Sequence, residues 1–150
     1  MSGYLLDTDV ISKFAPDRPE ISSDLETWMR QQGEADGLFL SAMTIAEIEK
    51  GIRGLERRGS AERSARLRQW LEGILSSFGD RILPMDANVA LIAGEIEDDA
   101  RSRGRHPGLG DIVIAATAKT FGLIVVTENI RHFEPLGVAV ERPAGSVAGE

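Results

Sequence analysis

The chain has 150 residues, 42% hydrophobic and 27% charged, which suits one soluble domain with a single sizeable core and excludes disordered and fibrous classes. It has no cysteine, so disulfides and zinc–thiolate sites are ruled out, in keeping with a reducing cytoplasm. A formal net charge of −7 argues against a generally basic coat for nucleic acid, so any phosphate-binding surface has to be local.

Tyr4-Leu5-Leu6-Asp7 reads as a short buried strand ending in a carboxylate, with Thr8 and Asp9 as the cap of a short helix over Val10–Phe14 that stops before Pro16. Ile21–Arg30 has apolar residues at helical spacing, with Gly33 as the expected stop. Leu38–Leu40 is a second strand and runs into a helix with Ile45, Ile48, Ile52 and Leu55 on one face. Gly59-Ser60 breaks that helix. Another follows from Ala61 to about Phe78, completing a helical hairpin. Arg81–Met85 is a third strand, placed at an edge by Pro84. Asp86 heads a helix with Val89, Ile92, Ala93 and Ile96 inward, and Gly104–Gly110 is a loop. Asp111–Phe121 is predicted as a helix apolar nearly all round at its start, hence buried. Leu123–Thr127 is a β-branched strand suited to a central parallel position, and Val138–Val140 is a weak last strand.

Strands alternating with helices predict a three-layer α/β/α domain around a mainly parallel sheet. Residues 1–142 form that domain, and Pro143–Glu150 reads as a flexible tail. The N-terminus lacks a basic region followed by an apolar core, so no signal peptide is expected. Ile112–Val126 is too short and too mixed to span a bilayer.

Acidic residues recur at one kind of place. Asp7 ends the first strand, Glu47 falls in the first turn after the second, and Asp111 heads the buried helix, with Asn129 just past the clearest strand. In a parallel sheet those carboxyl ends share one edge. Each has a plain structural reading: Thr44-x-x-Glu47 fits a capping box, Asp111 an N-cap, and Thr8 or Asp9 a cap. Asp7 is harder to explain so, because a carboxylate ending an apolar strand needs donors or a cation. Clustered carboxylates repel one another unless a cation sits among them, and hard oxygen donors favour Mg²⁺ or Mn²⁺. The chemistry implied is metal-assisted hydrolysis of a phosphate ester.

Leu5-Leu6-Asp7-Thr8-Asp9-Val10-Ile11-Ser12, Ser41-Ala42-Met43-Thr44-Ile45-Ala46-Glu47-Ile48 with Gly51, Gly110-Asp111-Ile112-Val113-Ile114-Ala115-Ala116-Thr117-Ala118, and Val126-Thr127-Glu128-Asn129 with Phe133 together resemble a PIN-domain ribonuclease, and more narrowly the VapC-type toxins of type II toxin–antitoxin pairs. The resemblance implies a PIN-like fold and a Mg²⁺- or Mn²⁺-dependent endoribonuclease that cuts RNA, tRNA among the candidates, with metal-activated water. It also implies a homodimer held inactive by a cognate antitoxin. By the same resemblance Asp7, Glu47 and Asp111 are the metal-binding and catalytic carboxylates, and Asn129 falls on the family's fourth acidic position. Thr8 and Thr127 match hydroxyl positions near the site, and Asp9 stands where asparagine is more usual.

Asp7-Thr8-Asp9 also resembles the Asp-x-Asp of haloacid-dehalogenase-type phosphohydrolases, but Thr127 then comes in the wrong order after Asp111 and Glu47 has no role. A metal-free PIN-like interaction module is a further alternative. Arg103, Arg105 and His106 read either as a solvated helix end or as a loop contacting RNA phosphates. The arginines from Arg53 to Arg68 read as solvated helix faces, and Trp28 and Trp70 as core.

Overall fold

The computed structural model describes residues 2–146. Strands β1 (Tyr4–Leu6), β2 (Leu38–Ser41), β3 (Ile82–Leu83), β4 (Ile124–Val126) and β5 (Val140–Glu141) form a five-stranded sheet in the order β3-β2-β1-β4-β5. All four pairings are parallel, with Tyr4 opposite both Leu38 and Ile124. Between the strands run α1 (Thr8–Ile11), α2 (Ser23–Glu34), α3 (Ala42–Arg57), α4 (Ala61–Phe78), α5 (Ala87–Ser102), α6 (Leu109–Phe121) and α7 (Ile130–Phe133).

The two-residue alternation of the strands sorts the core into two halves. Leu5, Phe39 and Val125 point to one face and pack with Val89, Ala93 and Ile96 of α5 and Ile112 and Ala115 of α6. Leu6, Leu40 and Val126 point to the other and meet Val10, Ile48, Ile52, Leu71 and Ile74. Each such side chain, fully buried, contributes about 1.5–3 kcal/mol of transfer free energy. Trp28 meets Tyr4 edge to face, rings 5.0 Å apart at 70°, and Trp70 packs on the same half-core. This is the three-layer α/β/α arrangement. Among the described residues no helix is long and apolar enough to cross a membrane.

Several boundaries differ from expectation for local reasons. Helix α1 starts at Thr8 rather than Val10, and Ser12–Phe14 tightens into a 3-10 turn. The Ser22 hydroxyl accepts from the Leu25 N–H at 3.1 Å and so fixes the start of α2. That helix runs through Gly33, and the reversal falls instead on Asp36, at φ 54°, and Gly37. Strand β3 is confined to Ile82–Leu83 because Pro84 has no N–H to continue the ladder. Helix α7 was not anticipated. Of the tail, Pro143 is buried and the Ser146 hydroxyl donates to Glu128 Oε2 at 2.9 Å, so residues 143–146 are tied to the body. Residues 147–150 lie outside the described residues.

Candidate active site

The chain order of the sheet reverses between β1 and β4, which is where open parallel sheets bind ligands beyond their strand ends. Asp7 stands there. Its N–H donates to the Val126 carbonyl at 2.9 Å, and its side chain is 6% exposed. Asp7 Oδ1 accepts from the Thr8 N–H at 2.8 Å, which makes Asp7 the N-cap of α1 in place of Thr8 or Asp9. Its Oδ2 accepts from the fully buried Thr127 hydroxyl, also at 2.8 Å. That hydroxyl oxygen in turn accepts the Asn129 N–H at 2.9 Å.

Glu47 lies in the second turn of α3. The helix is capped by Ser41, whose hydroxyl accepts from the Met43 N–H at 3.0 Å, so the expected Thr44–Glu47 capping box does not form. Instead the Thr8 hydroxyl donates to Glu47 Oε1 at 2.6 Å and lies 3.0 Å from the hydroxyl of fully buried Thr44. The other Glu47 oxygen presses on the start of α6, where a Cβ at Gly110 would stand 2.9 Å from Oε2. Glycine is required at 110 for that approach.

Asp111 is inside the first turn of α6, behind an N-cap at Gly108, and is not itself a cap. Its Oδ2 lies 3.4 Å from His132 Nδ1. Burial, and then the negative charges of Asp7 and Glu47, raise its carboxyl above the usual range against the opposing pull of His132. Asp9 Oδ2 accepts from the Glu128 N–H and from Asn129 Nδ2, each at 3.1 Å, while its Oδ1 is buried without a partner. Burial, then the charge of Asp7, pushes Asp9 up to about 7, against the opposing pull of the Glu128 N–H.

The structure thus brings Asp111 within electrostatic reach of Asp7 and Glu47, and Asp9 within reach of Asp7. Asn129 joins them through its side chain on Asp9 and through its N–H on the Thr127 hydroxyl. The side chains offer only hard oxygens, their charges oppose one another, and Asp9 Oδ1 has no donor at all, a set that fits a hard cation better than a soft one. Among the described residues no three acidic or histidine side chains are already drawn around one point. Hydroxyls of Thr8 and Thr127 hold two of them apart.

Of the basic residues, Arg105 and His106 line a cavity with Asp111, whereas Arg103 points away and bonds to Asp99 and to the Pro135 carbonyl. Arg68 pairs with Glu49 and Glu56, Arg53 with Glu49, and Arg66 with Asp17, as solvated helix faces would. Three contributors escaped sequence reasoning: Thr44, Gly110 and His132. A glycine directly before a would-be helix cap was a signal for Gly110. His132 had none, since it rides on the short α7.

The PIN domain family model matches residues 4–136, nearly the whole described chain. The chain belongs to the PIN-domain family. This PIN domain is 37% identical over 140 residues to the protein named Toxin FitB of Neisseria gonorrhoeae, covering 93% of this chain and 96% of that one. It is 31% identical over 137 residues to the tRNA(fMet)-specific endonuclease VapC of Shigella flexneri, covering 91% and 94%. Among solved structures it resembles FitAcB from Neisseria gonorrhoeae at a TM-score of 0.80 and 37% identity, covering 93% and 97%. The dehalogenase-type alternative falls with this membership.

Proposed function

We propose that this PIN domain is the endoribonuclease toxin of a toxin–antitoxin pair, and that its carboxylate cluster binds Mg²⁺ or Mn²⁺ to hydrolyse RNA phosphodiester bonds. The endoribonuclease class follows from the family and from the nuclease and toxin that the chain resembles. The observation that carries the metal reading is the approach of Asp7, Glu47 and Asp111 at the β1–β4 reversal, with Asp111 held above its ordinary range by burial and then by the charges of the other two.

Asp7, Glu47 and Asp111 would hold the cation. When bound, it supplies Lewis acidity to the scissile phosphate and lowers the pKa of water. The chain's own part is to keep the ligands aimed. Thr127 and the Thr8 N–H fix both oxygens of Asp7, and the Thr8 hydroxyl fixes one of Glu47. Asn129 acts through Asp9, orienting a carboxylate that borders Asp7. RNA is the substrate, and tRNA is the first RNA to test, given the name of the Shigella relative. A cognate antitoxin and a second copy of the chain are the expected protein partners, and the cytoplasm is the compartment this activity requires.

The test is to incubate the purified chain with total RNA in Mg²⁺ or Mn²⁺, with and without EDTA, and to map the ends. Expected are cuts that leave 5′-phosphates, vanish in EDTA and vanish in Asp7→Asn. Cuts persisting in EDTA, or 2′,3′-cyclic phosphate ends, overturn the mechanism. Absence of both cleavage and metal binding favours a metal-free interaction module.

A further inference from the structure

The cavity beside Asp111 carries positive charge that the carboxylate cluster does not explain. It measures about 440 Å³, within the range of small-ligand pockets, and is lined by Arg105, His106, Pro107, Arg131, His132 and Leu136. Two distant segments build it, the loop after α5 and the short α7. Arg103 braces them together, its Nη2 donating to Asp99 Oδ2 at 2.6 Å and to the Pro135 carbonyl at 2.5 Å. Gly104, at φ 76°, then turns the chain so that the Arg105 N–H reaches the Ala100 carbonyl at 2.9 Å. Arg103 is thereby used by the scaffold. Arg105 and Arg131 are exposed and form no ion pair among the described residues.

In a chain of net charge −7, two free guanidiniums on one cavity, faced by a single carboxylate, select an anion. The guanidinium fork suits phosphate oxygens, and the imidazole faces with the Pro107 and Leu136 wall suit an unstacked base. Asp111 belongs to both the cavity wall and the carboxylate cluster. A phosphate seated here is therefore a neighbour of the scissile one on the same strand.

We propose that this cavity is the subsite for the nucleotide flanking the cleaved bond, with Arg105 and Arg131 gripping its phosphate and the Pro107–Leu136 wall taking its base. The proposal rests on the endoribonuclease reading and adds to it the direction in which the RNA leaves the carboxylates.

The test combines binding and kinetics on the full chain. Arg105→Ala, Arg131→Ala and Arg131→Lys are compared with Arg30→Ala, an equal charge change on α2 outside the cavity. Binding of a fluorescein-labelled RNA oligonucleotide is read by anisotropy across salt concentrations in an Asp7→Asn background, and cleavage in the active chain. Each alanine variant in the cavity is expected to bind about tenfold more weakly at low salt. The slope of log affinity against log salt should shrink by about 0.7 per arginine. KM should rise while kcat stays within about twofold, with partial rescue by Arg131→Lys. Cavity variants that match Arg30→Ala in affinity, slope and KM, while the wild type cuts RNA, overturn this proposal alone. A wild type that neither binds nor cuts RNA overturns the endoribonuclease reading as well. Binding of inorganic phosphate that depends on Arg105 and Arg131 but leaves RNA affinity and KM unaffected assigns the cavity to a free anion and overturns the strand subsite.

Discussion

Asp9 carries a cost that can be measured. Its carboxyl stands near 7 in the folded chain against an ordinary value of 3.8, because burial and the Asp7 charge both oppose ionisation. A raised carboxyl weakens folding as pH climbs: the penalty is absent below about 4, grows up to about 7 and is constant above. Asn at 9 removes the charge and keeps an oxygen to accept the Glu128 N–H. In EDTA, Asp9→Asn is therefore expected to melt with the wild type at pH 4 and a few degrees above it at pH 8, on the order of 1 kcal/mol. A gain equal at both pH values, measured by thermal melts, would show that charge is not the cause. Asp7 stood out in the sequence because a carboxylate closing an apolar strand needs donors, and the structure supplies them in the Thr8 N–H, which makes Asp7 the cap of α1, and in the Thr127 hydroxyl. Glu47 was legible only in company, since Thr44-x-x-Glu47 has the form of a cap that the structure gives to Ser41. The hydroxyl chain from Thr44 through Thr8 to Glu47 crosses from α3 to α1 and back, and no spacing rule encodes such a contact.

At the level of elements, the start of α6 is shaped by what it must let past. A side chain at 110 would collide with Glu47 Oε2, the mobile end of a flexible group, so the helix tolerates the change while the carboxylate moves. Gly110→Ala should leave thermal stability unchanged or up to about 1 kcal/mol higher, given the better helix propensity of alanine. RNA cleavage should fall by about ten- to a hundredfold, as when groups that orient metal ligands are disturbed. Retained activity with an unmoved melting point would remove Gly110 from the site. The helices were read well where amphipathic stripes ran three turns or more, as in α3, α4 and α5. Errors gathered in short elements, whose existence depends on the body they dock to. Helix α7 is held by Phe133, fully buried among α5 and α6 side chains, and four residues have too little periodicity to announce that.

Across the whole molecule, the site joins four segments that only the completed sheet brings together. Asp7 follows β1, Glu47 follows β2, Asp111 lies in the first turn of the helix before β4, and Thr127 follows β4. A cation held by Asp7, Glu47 and Asp111, as proposed above, would stabilise the fold, because the unfolded chain has no equivalent site. At a hundredfold excess over its dissociation constant this amounts to about 2.7 kcal/mol. Mn²⁺ should accordingly raise the melting temperature of the wild type by about 5–10 °C and leave Asp7→Asn unmoved. A calorimetric scan showing equal shifts in both would place the ion elsewhere. The alternation of strands and helices made the parallel, layered architecture readable, because apolar runs of that length have few ways to be covered on both faces. The strand order was not readable: nothing local to β1 says that its partners lie at Leu38 and at Ile124.

That central position of β1 has a consequence for synthesis. The strand is made first, yet its second neighbour, β4, leaves the ribosome some 120 residues later. At about 5–20 residues per second, that is a wait on the order of 6–24 s. Throughout it Asp7 lacks Thr127 to hold it and, for most of it, Asp111 beside it, and fragments that stop before Asp111 lack both. A nascent chain of this topology has no complete carboxylate cluster until β4 is in place.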